Sequence, residues 1–230
     1  MKITSESGSS FDAYVSTQGN PRPGLIICSE AFGVNSHMRS VADRFASHGY
    51  LAVVPDLLWR IEPGIKITYN EAGLQRASEI AEIFDKDIGA EDVQRTLDQV
   101  CQRGDFNGKA GVLGFCIGGA VAYLTAARSN IDACIAYYGK GIEQYLDEAE
   151  AISCPTVLHY AGADRFIPPS VIADVRRAVA SKRNFEVFEY PGVDHGFTSE
   201  DRRAYNPDAA NFAMERTLNV LTRGLQLGRS

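Results

Sequence analysis

The chain has 230 residues, 45% of them apolar and 23% charged, which suits one globular α/β domain over its whole length and is short for two domains of usual size. Twenty-three basic against twenty-nine acidic residues leave a net charge of −6, with no dense Lys/Arg cluster, which argues against a nucleic-acid partner. The opening "MKITSESGSSFDAY" lacks the apolar stretch of a secretion signal and no apolar run is long enough to span a bilayer, so the expected setting is the cytoplasm, with no membrane partner.

Short apolar runs alternate with longer amphipathic ones, the pattern of βαβ units. A first strand is expected over 11–17 ("FDAYVST") and a second over 24–29 ("GLIICS"). A helix follows over 36–48, where Met38, Val41, Ala42, Phe45 and Ala46 recur at helical spacing. The strand 51–55 ("LAVVP") leads into the longest stretch without a period, "LLWRIEPGIKITYNEAG", and irregular connections of that length tend to be functional or mobile. Helices are expected over 71–84, 90–103, 118–128, 169–181 and 208–224, and strands over 110–115, 132–138, 156–161 and 185–190. From residue 24 onward most of the strands are nearly continuous in apolar residues, as buried parallel strands are. The expected fold is therefore α/β, a mostly parallel sheet of about seven or eight strands with helices on both faces.

In such a sheet ligands meet the carboxyl ends of the strands. The residues just past those ends are Glu30-Ala31-Phe32, Asp56-Leu57, Cys116-Ile117, Gly139-Lys140, Asp164-Arg165-Phe166 and Asp194-His195-Gly196. A thiol, several carboxylates and a histidine on one edge are the inventory for nucleophilic catalysis. Of the five cysteines, Cys28, Cys101, Cys134 and Cys154 sit in or beside apolar runs, where a thiol behaves as a small buried hydrophobe. The odd count and wide spacing indicate neither a disulfide framework nor a metal site, and no cofactor is expected. Cys116 differs: it lies in "GVLGFCIGGAVAY", between Gly114 and Gly118, after an apolar strand and before a helix. That is a nucleophile elbow, where the flanking glycines leave room for a sharp turn, the helix N-terminus favours a thiolate, and the Ile117 N–H faces any oxyanion formed above the sulfur. Chance alone predicts roughly 0.04 such matches in this composition; the rival reading is a buried cysteine in a small-residue packing contact.

The order nucleophile, acid, histidine is that of the α/β-hydrolases, and Cys116, Asp164 and His195 occur in it. Asp164 also suits a helix N-cap before Ile167-Pro168-Pro169, and His195 a surface loop. Asp194 is a weaker candidate than Asp164, because an adjacent residue rarely folds its carboxylate back onto the neighbouring imidazole. His37, His48 and His159 read as structural. Phe32, Trp59, Tyr69, Tyr138, Phe166 and Phe197 are the aromatic candidates to line a pocket, with Ser199 beside them.

Over nearly its whole length the chain resembles the dienelactone hydrolase (carboxymethylenebutenolidase) family of small α/β-hydrolases. The resemblance rests on "SEAFGVN", "PDLLWR", "GFCIGG", "YYGKG", "HYAGADRFIP" and "DHGF", in family order and near family spacing. It implies Cys116 as nucleophile, His195 as base, Asp164 as the group that orients His195, and Ala31 N–H as a second oxyanion donor beside Ile117. It also implies Glu30 as a carboxylate beside the thiol, holding it protonated at rest and taking its proton when substrate arrives. A carboxylate ending an apolar strand needs such a partner, Cys116 or His195, to offset its desolvation. One departure stands out. The family's two substrate-carboxylate arginines fall at Ser199 and near Leu74 or Ser78 in this chain, so the expected pocket lacks them unless Arg76, Arg202 or Arg203 reaches in.

The reading is a Cys-His-Asp hydrolase of small esters or lactones, a monomer or weak homodimer. A related alternative is a promiscuous hydrolase of activated aryl esters or phosphotriesters on the same triad. From a different class, Cys116 would serve a redox- or electrophile-sensing module that turns over nothing; Asp164 and His195 weigh against this, since a sensor needs no proton shuttle.

Overall fold

A computed structural model describes residues 1–5 and 7–225. Eight strands form one sheet: β1 (Lys2–Thr4), β2 (Ser10–Ser16), β3 (Arg22–Cys28), β4 (Leu51–Pro55), β5 (Phe106–Phe115), β6 (Ala133–Tyr137), β7 (Thr156–Ala161) and β8 (Phe185–Tyr190), in the order β1-β2-β4-β3-β5-β6-β7-β8. The pairs β1/β2 and β2/β4 are antiparallel and every pair from β4 to β8 is parallel. The architecture is that of the α/β-hydrolases, as expected.

Six helices accompany the sheet: α1 (Ser36–Ser47), α2 (Glu71–Ile83), α3 (Lys86–Cys101), α4 (Ile117–Arg128), α5 (Pro169–Ala178) and α6 (Pro207–Leu225). Gly24 of β3 faces Val100 of α3, while Gly111 of β5 faces Leu221 and Leu225 of α6. Gly24 is paired with Ala110 and Gly111 with Leu25, so the two glycines have opposite parity and α3 and α6 cover opposite faces. The core strands β3, β4 and β6 are buried almost throughout, and their apolar side chains supply the main stabilising burial. No helix among the described residues is long and apolar enough to cross a membrane.

Several elements differ from the sequence-based expectation. The strand β1 is only three residues and polar on its exposed face; its antiparallel pairing with β2 makes it a strand, not its composition. Helix α3 starts at Lys86 rather than 90, because the Asp85 carboxylate accepts hydrogen bonds from the N–H groups of Asp87 and Ile88 and so caps the earlier turn. Two short 3₁₀ turns, Ile142–Gln144 and Leu146–Ala151, occupy a stretch with too little periodicity to read.

Candidate active site

Strand β5 ends at Phe115 and α4 begins at Ile117, leaving Cys116 as a one-residue joint with φ 55° and ψ −121°. A non-glycine residue held at positive φ is strained, and such strain persists only where the surroundings over-determine it. Here they do. A Cβ on Gly114 would stand 1.8 Å from the Gly118 carbonyl oxygen, and one on Gly118 would stand 2.4 Å from that of Cys28. The Cys116 N–H donates to the Tyr137 carbonyl at 3.1 Å, and its own carbonyl accepts from Gly119 N–H and Lys140 N–H, both at 3.0 Å. The glycines of the motif thus let α4 run against the end of β3 and bring Ala31 to the same cavity as Cys116.

Helix α4 carries no side-chain cap at its N-terminus. Its first N–H groups have no intrahelical acceptor, and neither the Ile117 N–H nor the Ala31 N–H finds an acceptor among the described residues. Both sequence-predicted oxyanion donors are therefore open.

His195 follows β8 in a loop and is 3% exposed. Its Nδ1 lies 2.7 Å from Asp164 Oδ2, and the other Asp164 oxygen accepts from the N–H groups of Phe166 and Ile167. Asp164 is thus both the turn cap and the partner of the imidazole. Asp194 pairs instead with Arg165 and accepts from His195 N–H, which fixes the loop and not the ring. The imidazole Nε2 is buried without a hydrogen-bond partner in a residue that lines the cavity with Cys116. Burial alone would lower the His195 pKa; the charge of Cys116, then the Asp164 hydrogen bond, outweigh it and raise it to about 9.

Glu30, 2% exposed, has other partners than the sequence suggested. Arg202 Nη1 donates to Oε1 at 3.1 Å, Tyr69 to Oε2 at 3.2 Å, and Tyr138 to Oε1 at 3.4 Å. Neither Cys116 nor His195 hydrogen-bonds it among the described residues. The expectation that Glu30 pairs with the thiol is corrected: Arg202 neutralises the carboxylate, and two phenols, kept protonated first by burial and then by its charge, complete its shell.

Tyr69 reaches Glu30 because the long connection is stitched down. Gly64 N–H donates to Asp56, Ile67 N–H to the Phe32 carbonyl, and Asn35 to the Ile67 carbonyl.

The cavity beside the sulfur is small and partly open, with about 50 Å³ accessible to the centre of a water molecule. Of the predicted pocket aromatics, Phe32 and Phe166 line it, and Phe166 stands edge-on to the His195 ring, centroids 5.1 Å apart. Tyr138 and Phe197 lie behind it: Tyr138, at φ 38°, packs its ring 4.7 Å from that of His195, and Phe197 packs on Tyr138. Ser199 is fully buried and does not line the cavity. Trp59 is a correction: it stacks on Phe11 and donates to Asp92 of α3, because that buried carboxylate, also bound by Arg60, draws the indole away from the site.

Sequence spacing did not promise Arg202, seven residues past His195, yet it enters the cavity wall. Arg76 is turned outward to Glu62 and Glu79. Leu74 and Ser78, with Ala77 and Ala81, form an uncharged wall along α2. Lys140 also lines the cavity; its place just after β6 was the only signal for it.

The remaining cysteines are poor rivals. Burial pushes the thiols of Cys28, Cys134 and Cys154 upward, and exposed Cys101 ends α3 away from this edge. His159 is a core residue whose ring nitrogens meet Tyr190 and Thr217, with its pKa pushed down to about 3 by burial.

A family model described as the dienelactone hydrolase family matches residues 11–225. The chain is 37% identical over 220 residues to a provisionally named carboxymethylenebutenolidase of Azospirillum brasilense, covering 94% of this chain and 95% of that one. It is 31% identical over 223 residues to the carboxymethylenebutenolidase of Pseudomonas putida, covering 96% and 94%. Among solved structures it is similar to a provisionally assigned dienelactone hydrolase of Klebsiella pneumoniae, with TM-score 0.83, 25% identity and 97% of each chain covered.

Proposed function

Since the chain belongs to the dienelactone hydrolase family and is a carboxylic ester hydrolase, we propose that it cleaves small esters or lactones through a Cys116-His195-Asp164 triad and a thioester intermediate. The observation that carries this reading is the strained Cys116 joint, which shares a cavity with Ala31 and with a buried imidazole locked by Asp164.

Asp164 holds the Nδ1–H of His195, so that Nε2 is turned to the sulfur and serves as its base. The Cys116 thiolate attacks the acyl carbon, and the oxyanion gathers hydrogen bonds from the Ile117 and Ala31 N–H groups. His195, now an imidazolium, protonates the leaving alkoxide. It then takes a proton from water, whose attack on the thioester releases the acid and returns the thiol. Glu30 anchors Arg202, Tyr69 and Tyr138 beside the site. Acid-quenched turnover of a p-nitrophenyl ester is expected to leave one acyl group on the peptide that contains Cys116, read by mass spectrometry. Label on a serine, or on none, would overturn the cysteine mechanism.

The His195 pKa of about 9 exceeds the ordinary 6.5. A group whose pKa is raised on folding adds stability that is complete below its unfolded pKa and lost as pH rises through the folded value. Both this stability and the supply of imidazolium for leaving-group protonation are therefore expected to fall as pH rises through about 9. An NMR titration of the ring checks the value, and Cys116→Ala is expected to move the midpoint below 9, since the Cys116 charge is the largest influence that raises it.

A further inference from the structure

Two cations line the cavity, Arg202 and Lys140, and they are not equivalent. Arg202 is committed to Glu30, an ion pair whose side chains are 10% and 2% exposed, so the two together add no net charge. The Cys116-His195 pair adds none in either protonation state. Lys140 has no carboxylate partner among the described residues; its Nζ stands 5.4 Å from the centre of the Phe166 ring, on the side of the cavity where Phe166 meets His195. Its backbone is fixed to the nucleophile, since Lys140 N–H donates to the Cys116 carbonyl. Gly139, just before it, packs so tightly on α4 that a Cβ on Gly119 would stand 2.7 Å from the Gly139 Cα. Across the cavity, Leu74, Ala77, Ser78 and Ala81 of α2 offer no charge. Lys140 is thus the one lining cation without a carboxylate partner among the described residues, beside Phe166, and the α2 part of the wall is uncharged, while the Asp164 carboxylate is tied to the His195 ring and to the N–H groups of Phe166 and Ile167. A partly enclosed charge in low-dielectric surroundings acts on a bound ion far more strongly than one in open solvent.

We propose that Lys140 is a specificity-determining residue of this site, whose ammonium reads a carboxylate borne by the substrate and turns it toward Phe166, leaving the apolar part of the substrate on the α2 wall. This rests on the hydrolase reading above. It assigns the anion preference to the β6 edge, where the lysine is tied to the elbow, and away from α2.

Two probe pairs test it: p-nitrophenyl pentanoate against mono-p-nitrophenyl glutarate, which exchange a methyl for a carboxylate on the acyl chain, and 4-acetoxybenzamide against 4-acetoxybenzoate, which exchange a carboxamide for a carboxylate on the leaving group. For at least one pair, Lys140→Gln is expected to lower the ratio of kcat/KM, charged over neutral, about tenfold, mainly through KM, as expected when one charge contact to bound substrate is removed. Lys140→Glu lowers the ratio further and Lys140→Arg retains it. In the wild type, raising the salt from 0.05 to about 0.5 M shrinks the same ratio by screening. Turnover of the neutral esters with ratios unchanged in Lys140→Gln and Lys140→Glu would overturn this proposal alone. A loss on both members of each pair that Lys140→Arg does not rescue would reduce Lys140 to a structural role and overturn it too. Absence of turnover of any probe by the wild type would overturn the hydrolase reading and this proposal with it.

Discussion

Replacing Cys116 by alanine is expected to lower kcat/KM for p-nitrophenyl ester hydrolysis by about 10⁴-fold or more, equivalent to about 5 kcal/mol of transition-state stabilisation. The size follows from the sulfur's place. Cys116 shares its cavity with Ala31 and His195, so in the proposed mechanism its removal leaves the oxyanion donors and the base with no nucleophile to serve. Alanine keeps the Cβ and the backbone strain at φ 55°, and the substitution is expected to leave the urea midpoint close to that of the wild type. A loss of activity with the fold intact then isolates the chemistry. Alanine retaining more than about a tenth of wild-type kcat/KM would rule out the thiol as nucleophile. Wild-type turnover beyond one equivalent separates the enzyme from a sensing module, which would react once and stop.

The second large effect is on the fold. Gly114→Ala is expected to destabilise the protein by about 4 kcal/mol or more, in the range reserved for a few severe mechanisms. The added Cβ would fall 1.8 Å from the Gly118 carbonyl oxygen and 2.8 Å from the Gly119 nitrogen. All of these are backbone atoms of the first turn of α4, which cannot swing aside as a long side chain does. That turn is in turn pressed on the Cys28 and Ser29 carbonyls at the end of β3, so relief requires moving a helix that is buried over most of its length. Gly104→Ala is the matched control: nothing lies within 4 Å of its Cβ and its φ is ordinary, and its effect is expected to stay within about 0.5 kcal/mol. Chemical denaturation of the two variants decides the matter, and a Gly114→Ala midpoint equal to that of Gly104→Ala would contradict the steric account.

The elbow was legible in the sequence because its cause is local. Gly114, Cys116 and Gly118 fall within five residues, and the clash that excludes a side chain at Gly114 arises between a strand end and the helix turn directly following it. Strands β3, β4, β6 and β7 were legible for a related reason: burial on both faces requires continuous apolar runs whatever their neighbours are. Asp164 could be preferred over Asp194 because a residue adjacent to the histidine cannot fold its carboxylate onto the ring, and the structure indeed pairs Asp194 with Arg165.

The partners of Glu30 were beyond such reasoning. Arg202 lies 172 residues further along the chain and Tyr138 lies 108, and their meeting depends on the strand order β3-β5-β6 and on how the loop after β8 folds over that edge. Trp59 went the other way for the same kind of reason, since a buried Asp92 on α3 had an indole N–H within reach and the cavity did not. Lys140 occupied an ordinary position after an ordinary strand, and only the packing of Gly139 against α4 set it beside the sulfur. The sequence by itself determined the sheet, the strained joint and the residue types at its edge, because these follow from sterics and burial within a few residues. Tertiary structure alone decided which charges compensate one another around the thiol and which one is left over, because electrostatic pairing depends on distances through space that strand order sets and chain spacing does not.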